Sequence, residues 1–257
     1  MMVPDNSTLF LPIRHLFFAW MVFSACPSAV AGKNLFPPGL SSLNMGYDSK
    51  LSRLGPSDEP FGYGAMEDRW PHLPGQPTRI SVCWEEFTEG NKRWRSMVRQ
   101  IVKDTWSTVA PVYFLGWGKC DANSEAIRIH VADVSPVAKF LGRKLSKVAQ
   151  GITLNFEMQE WVPDEWCVKS DSNLEQCVLA ITVHEFGHAL GLAHEQNRND
   201  TPGECIEHPQ GAYGDTNLTP WDPGSIMNYC NRIYKTGGWK LSDGDVLSIQ
   251  KMYGAAI

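Results

Sequence analysis

One stretch constrains this chain more than any other: His184-Glu185-Phe186-Gly187-His188-Ala189-Leu190-Gly191-Leu192-Ala193-His194-Glu195. It has the form H-E-x-x-H-x-x-G-x-x-H-E. His184 and His188 are four apart, so on a helix they share one face. Two imidazoles on one face can grip one metal ion. Glu185 follows His184 directly, near enough to hold a water on that metal without being a ligand. Gly191 lets the chain leave the helix through a positive φ, and the turn brings His194 round as a third nitrogen. Three histidines suit zinc and leave one coordination position open, the arrangement of a catalytic rather than a structural site. A bare H-E-x-x-H arises by chance on any helix, and its plain alternative is a polar helix end with hydrogen-bonded histidines. The elongated form sets three histidines, a glutamate and a glycine in register, which is much harder to reach by accident.

Downstream lies Ser225-Ile226-Met227-Asn228-Tyr229. With the elongated zinc motif, this resembles the metzincin metallopeptidases, which carry a methionine turn beneath the metal. Glu195 and the S-x-M-x-Y form are most similar to the astacin branch, where a tyrosine at the place of Tyr229 is a switchable zinc ligand. That branch usually has histidine where this chain has Asn228. The C-terminal run from Leu241 to Gly254 is similar to the ends of astacin and matrixin catalytic domains. The resemblance spans about residues 70–254. It implies an α+β fold: a mixed, twisted sheet of four to five strands, two long helices, and a C-terminal subdomain with the methionine turn and a final helix. It also implies one catalytic zinc ion and a peptide or protein substrate.

The formal charge of −5 with mixed signs gives no basic footprint, so nucleic acid is not an expected partner. Arg14 and His15 precede the apolar run Leu16–Ala25, and Ala29-Val30-Ala31 is a small-residue cleavage site. Residues 1–31 therefore read as a secretory signal, with a buried helix or uncleaved anchor as the alternative. A secreted monomer without a stable membrane anchor is the expectation. Residues 32–68 are rich in Pro, Gly and Ser and read as a linker or pro-segment, leaving 69–257 for the catalytic domain. If that segment is cut, a new amino terminus can pair with Glu195, as in astacins; otherwise Glu195 hydrogen-bonds near the site.

Cleavage after Ala31 leaves six cysteines, an even count that implies disulfides in a secreted chain. Six cysteines allow fifteen pairings. The preferred set is Cys83–Cys120, Cys167–Cys177 and Cys205–Cys230, the last clamping the loop between the third histidine and the methionine turn. The alternative is a thiolate on the metal, whose protein side three histidines already fill.

Strands are expected at Arg79–Trp84, Val112–Leu115, Ala126–Val131 and Gly151–Phe156, where apolar residues alternate. Gly90 to Val109 repeats its apolar residues at three and four and reads as one helix, ended by Pro111. The metal helix is expected over Leu174–Leu190, capped by Asp171, Ser172 or Asn173, and a closing helix over Leu241–Tyr253, capped by Ser242 or Asp243. His72, His130 and His208 each stand alone and read as structural or surface residues.

The resemblance places the last strand before the metal helix at a sheet edge above the zinc. An edge strand can accept an extended peptide, which makes Thr153, Leu154 and Asn155 candidates for substrate binding; an edge without ligand is the alternative. Arg232, just past the turn, is a candidate wall for the pocket beyond the cut, or an exposed arginine without a role. Glu185 is the expected general base, Tyr229 a donor to the oxyanion, and Met227 an apolar floor under the ligands. Two rival readings stand beside the secreted zinc endopeptidase: a toxin or effector protease with one target, and a secreted metal-binding protein without catalysis. The intact Glu185 argues against the second.

Overall fold

A computed structural model describes residues 62–205, 207–231 and 235–256. The leader, the linker as far as residue 61, and Arg232 lie outside these residues. Gly62–Gly64 forms β1, and Met66–Asp68 follows as a single 3-10 turn. Residues 62–68 are therefore packed into the folded unit. β1 pairs antiparallel with β7 (Thr216–Leu218), and Ala193 N–H donates to Tyr63 O at 2.9 Å. A period-two signal three residues long, with two of the three positions glycine, is too short to read.

The main sheet comprises β2 (Thr78–Trp84), β3 (Val112–Lys119), β4 (Ile127–Val131), β5 (Val137–Ala138) and β6 (Ile152–Leu154), ordered β3-β2-β4-β6-β5. All neighbours run parallel except β5, which is antiparallel to β6. A bulge at Val82/Cys83 faces Gly116 and Trp117, both at positive φ. A Cβ on Gly116 would come within 2.8 Å of the Val82 carbonyl oxygen, so only glycine fits there.

The expected helix over Gly90–Val109 is two helices, α1 (Lys92–Asp104) and α2 (Trp106–Val109). Thr105 breaks it: its hydroxyl bonds back to Ile101 O at 2.7 Å, and its ψ of −88° leaves the helical region. The break lets Trp106 bury fully and donate its indole N–H to Val183 O at 3.0 Å. α1 links parallel strands β2 and β3 and lies against the sheet, as a right-handed crossover requires. The long helix α3 (Asp171–Leu190) packs beside it. Ser170 caps α3 through Asn173 N–H, one residue before the expected caps. Val98, Val102, Ile80, Ile127, Ile129, Ile152 and Phe186 are buried between these layers. The tryptophans join them: Trp84, Trp106 and Trp117 are core, and Trp70, Trp94, Trp161, Trp166 and Trp239 pack on it.

α4 (Asp243–Tyr253) closes the domain, with Ser242 and Asp245 forming a capping box. Disulfides join Cys83 to Cys120, Cys167 to Cys177, and Cys205 to Cys230. Among the described residues, no helix is long and apolar enough to cross a membrane.

Candidate metal centre

α3 ends at Gly191, whose φ of +104° turns the chain back. The turn brings His194 against the two helical histidines. His184 Nε2 and His188 Nε2 lie 3.1 and 3.0 Å from His194 Nε2. Each ring is fixed from behind through Nδ1: His184 by Ile226 O, His188 by Leu192 O and His194 by Gln210 O, all at 2.8 Å. A carbonyl can only accept, so each Nδ1 carries the proton and each Nε2 presents a lone pair. Burial holds all three imidazoles neutral, pushing His184 down to about 3 and His188 and His194 below their usual value. Neutral nitrogens facing each other at this distance repel unless a cation sits among them. Zinc–imidazole bonds of about 2.0–2.1 Å suit this spacing, so the residues present fit zinc.

Glu185 stands beside them, buried, and burial pushes its carboxyl up to about 8 against the pull of the Ala138 N–H. Its Oε2 has no hydrogen-bond partner among the described residues. With His188, His194, Tyr229 and Ala138 it lines a cavity of about 50 Å³. The Tyr229 ring stacks on His184 with centroids 5.4 Å apart and tilts over His194 at 4.4 Å. Met227 lies under the helix. A Cβ on Gly187 would reach within 2.5 Å of its sulfur, so the glycine in H-E-x-G-H makes room for the methionine floor.

α4 positions that floor. Buried Asp245 accepts from Ser225 Oγ at 2.7 Å and from Ile226 N–H at 3.0 Å, and Met227 N–H bonds Ser225 Oγ at 3.0 Å. Asn228 is fully buried; its amide donates to Asp222 O and accepts from Cys230 N–H, both at 3.0 Å. Asn228, where the astacin pattern has histidine, thus has a local structural role in the turn. Glu195 accepts from Asp222 N–H at 2.9 Å and pairs with fully buried Arg198 at 3.2 Å. In the uncut chain Glu195 thus hydrogen-bonds near the site, with an internal cation as partner.

The substrate residues expected on the last strand are not at an edge. β6 lies between β4 and β5, and Thr153, Leu154 and Asn155 are only 5%, 1% and 1% exposed. Asn155 donates to Asp133 Oδ1 and Val134 O, and its own oxygen accepts from Glu157 and Met158 N–H. The edge is β5, whose two residues are too few to show alternation. Pro136, which removes a backbone donor just before it, is the only signal the sequence offered. His130 is not alone either: it bonds Glu86 at 2.9 Å beside Glu85. The oxygens of that cluster already take Arg128 and the N–H groups of Gln150 and Val131. His72 bonds Thr78, and His208 is exposed.

A family model described as Matrixin matches residues 85–210. No curated protein sequence matches the chain. Among solved structures, myroilysin is similar at 20% identity, covering 76% of this chain and 100% of that one, with a TM-score of 0.54. High choriolytic enzyme 1, a hatching enzyme zinc-protease from the medaka fish Oryzias latipes, aligns at 17% identity over 74% of this chain and 96% of that one, with a TM-score of 0.47. The likeness to myroilysin is one of fold. The matched residues include β3, β4, β5 and β6, the metal helix and all three histidines, and begin just after β2. Together with the methionine turn beneath them, these findings support a zinc metallopeptidase of the metzincin kind.

Proposed function

We propose that the protein is a secreted zinc endopeptidase in which Glu185 is the general base and Tyr229 the oxyanion donor. One observation carries the reading: three neutral imidazoles aim their lone pairs at one point, and a buried carboxylate oxygen without a partner opens onto the same small cavity. Bound zinc supplies Lewis acidity and lowers the pKa of its water to about 7. Glu185 takes the proton of the attacking water and passes it to the leaving amine as the C–N bond breaks. The Tyr229 hydroxyl donates to the oxygen that gains charge. The β5 edge at Val137–Ala138 receives the extended peptide, since Ala138 already touches Glu185. Three disulfides in one domain suit an oxidising compartment, in keeping with the leader read at 1–31. A monomer with no stable membrane anchor completes the proposal.

Zinc stoichiometry, measured together with cleavage-site mapping on a complex protein mixture, tests this. One zinc per chain and chelator-reversible cleavage are expected. Full zinc occupancy with no cleavage of any protein would favour the metal-binding reading. Cleavage confined to one protein would favour the dedicated effector.

A further inference from the structure

His194 depends on a carbonyl from far along the chain. Ile226 O, which holds His184, belongs to the methionine turn that α4 anchors; Leu192 O, which holds His188, belongs to the turn ending α3. Gln210 O, which holds His194, sits in a long loop whose described residues form no helix or strand before β7. Something else must fix the Gln210 peptide.

Asn197 does so. The 3-10 turn Glu195–Asn197 folds it back beside its ligand, with Asn197 N–H donating to His194 O at 3.1 Å. Its side chain is nearly buried, 6% exposed. Its Nδ2 donates to Gln210 O at 2.7 Å, and its Oδ1 accepts from Gln210 N–H at 2.9 Å. The amide thus reads both polar groups of one residue, as a neighbouring strand would. Gln210 O is then shared between the Asn197 amide and the His194 Nδ1–H, which occupies both of its lone pairs. A longer contact of 3.4 Å runs on to Ala212 O. Gly211, at φ +70°, lays its peptide against the imidazole: a Cβ there would stand 3.3 Å from His194 Cε1.

Resting on the zinc reading above, we infer that Asn197 is a positioning residue for the third metal ligand. It sets the Gln210 carbonyl, which sets the tautomer and the plane of the His194 ring. A carboxylate at this position would keep the acceptor but lose the donor, and would set a negative charge against the Gln210 oxygen. Groups that orient ligating histidines typically change metal affinity by 10–100-fold when removed.

The test measures zinc affinity by chelator competition and the visible spectrum of the cobalt-substituted protein, beside circular dichroism of the metal-free form. Wild type comes first: no zinc binding there overturns the zinc reading itself, whereas zinc binding without peptidase activity leaves the role of Asn197 intact. Asn197→Asp should weaken zinc by about 10–100-fold and alter the cobalt band while metal-free secondary structure persists. Asn199→Asp, on an exposed neighbour whose side-chain oxygen accepts from Asn217 of β7, should change neither. If Asn197→Asp does not fold, Asn197→Ser, too short to span both Gln210 groups, should lower affinity by about tenfold. Affinity within twofold of wild type and an unaltered cobalt spectrum in the folded variant overturn the inference.

Discussion

The helix that carries His184 and His188 and the loop that carries His194 are held in different ways. On the helix side, Cys177, Val178, Ile181, Val183, Phe186 and Leu190 are buried along α3. Phe186 meets Phe114 edge-on at 4.9 Å and stacks with Trp117 at 5.7 Å. This is dispersion and burial, spread over many contacts, no one of which decides the ligand geometry. On the loop side the partners are few and polar: Asn197 on Gln210, Arg198 on Glu195, Gln196 on Tyr229 N–H, and the Cys205–Cys230 bridge. Two imidazoles are thus placed by a packed core, and the third by directional bonds that single substitutions can remove.

The largest effect tests the helix side. Glu185→Ala should keep zinc and lower kcat by about 10²–10⁴-fold, the range for removing a general base. Metal analysis and peptide hydrolysis on one sample measure both. Zinc lost along with activity would mean that the packed helix does not hold its ligands unaided. Next comes Tyr229→Phe, which keeps the ring against His184 and His194 and removes only the hydroxyl. Turnover should fall by about 10²-fold with zinc content unchanged. Lost zinc would instead make the loop side depend on that one oxygen.

The same contrast explains what the sequence could be read for. Periods of two and 3.6 report burial, so the sheet strands and α3 stand out, and the helix break at Thr105 is missed because its threonine changes no period. The loop side obeys no period. The triad is legible there only because H-x-x-G-x-x-H fixes spacing; nothing in the letters says that Gln210 will orient His194 or that Arg198 will neutralise Glu195. The misplacement of the substrate edge has the same origin. Alternation at Ile152–Leu154 reports which face of the sheet a residue joins and is silent on whether a neighbour pairs on both sides, as β4 and β5 do here. The two residues of β5 carry no pattern at all, yet they are the ones beside Glu185.

Removing the Cys205–Cys230 bridge by serine at both positions probes the contrast directly. The bridge closes 25 residues of chain, worth about 3 kcal/mol in the chain-entropy account. Amide exchange should quicken through 196–230 while α3 keeps its protection, because only the loop side leans on the cross-link. Equal loss of protection in α3 would show the two regions to be one cooperative unit.

The smallest effect concerns protons. Burial lowers all three imidazoles from the usual histidine value, so at neutral pH and above they are held neutral with or without zinc and release few protons on binding. Glu185 differs: burial raises its metal-free carboxyl to about 8, so at pH 7 it carries a proton that a neighbouring dication drives off. The sign follows from linkage. A group that loses its proton on binding makes affinity rise with pH up to its metal-free value and level off beyond it. Zinc affinity should therefore climb between about pH 6 and pH 8, by at most about tenfold per unit from this one group. The metal water also titrates in this window, so the comparison is with Glu185→Gln, which keeps the shape and cannot ionise. Calorimetry in buffers of different ionisation enthalpy should find more protons released by wild type than by the variant at pH 7. Equal release would mean that the Ala138 N–H outweighs burial and that Glu185 is ionised before any metal arrives.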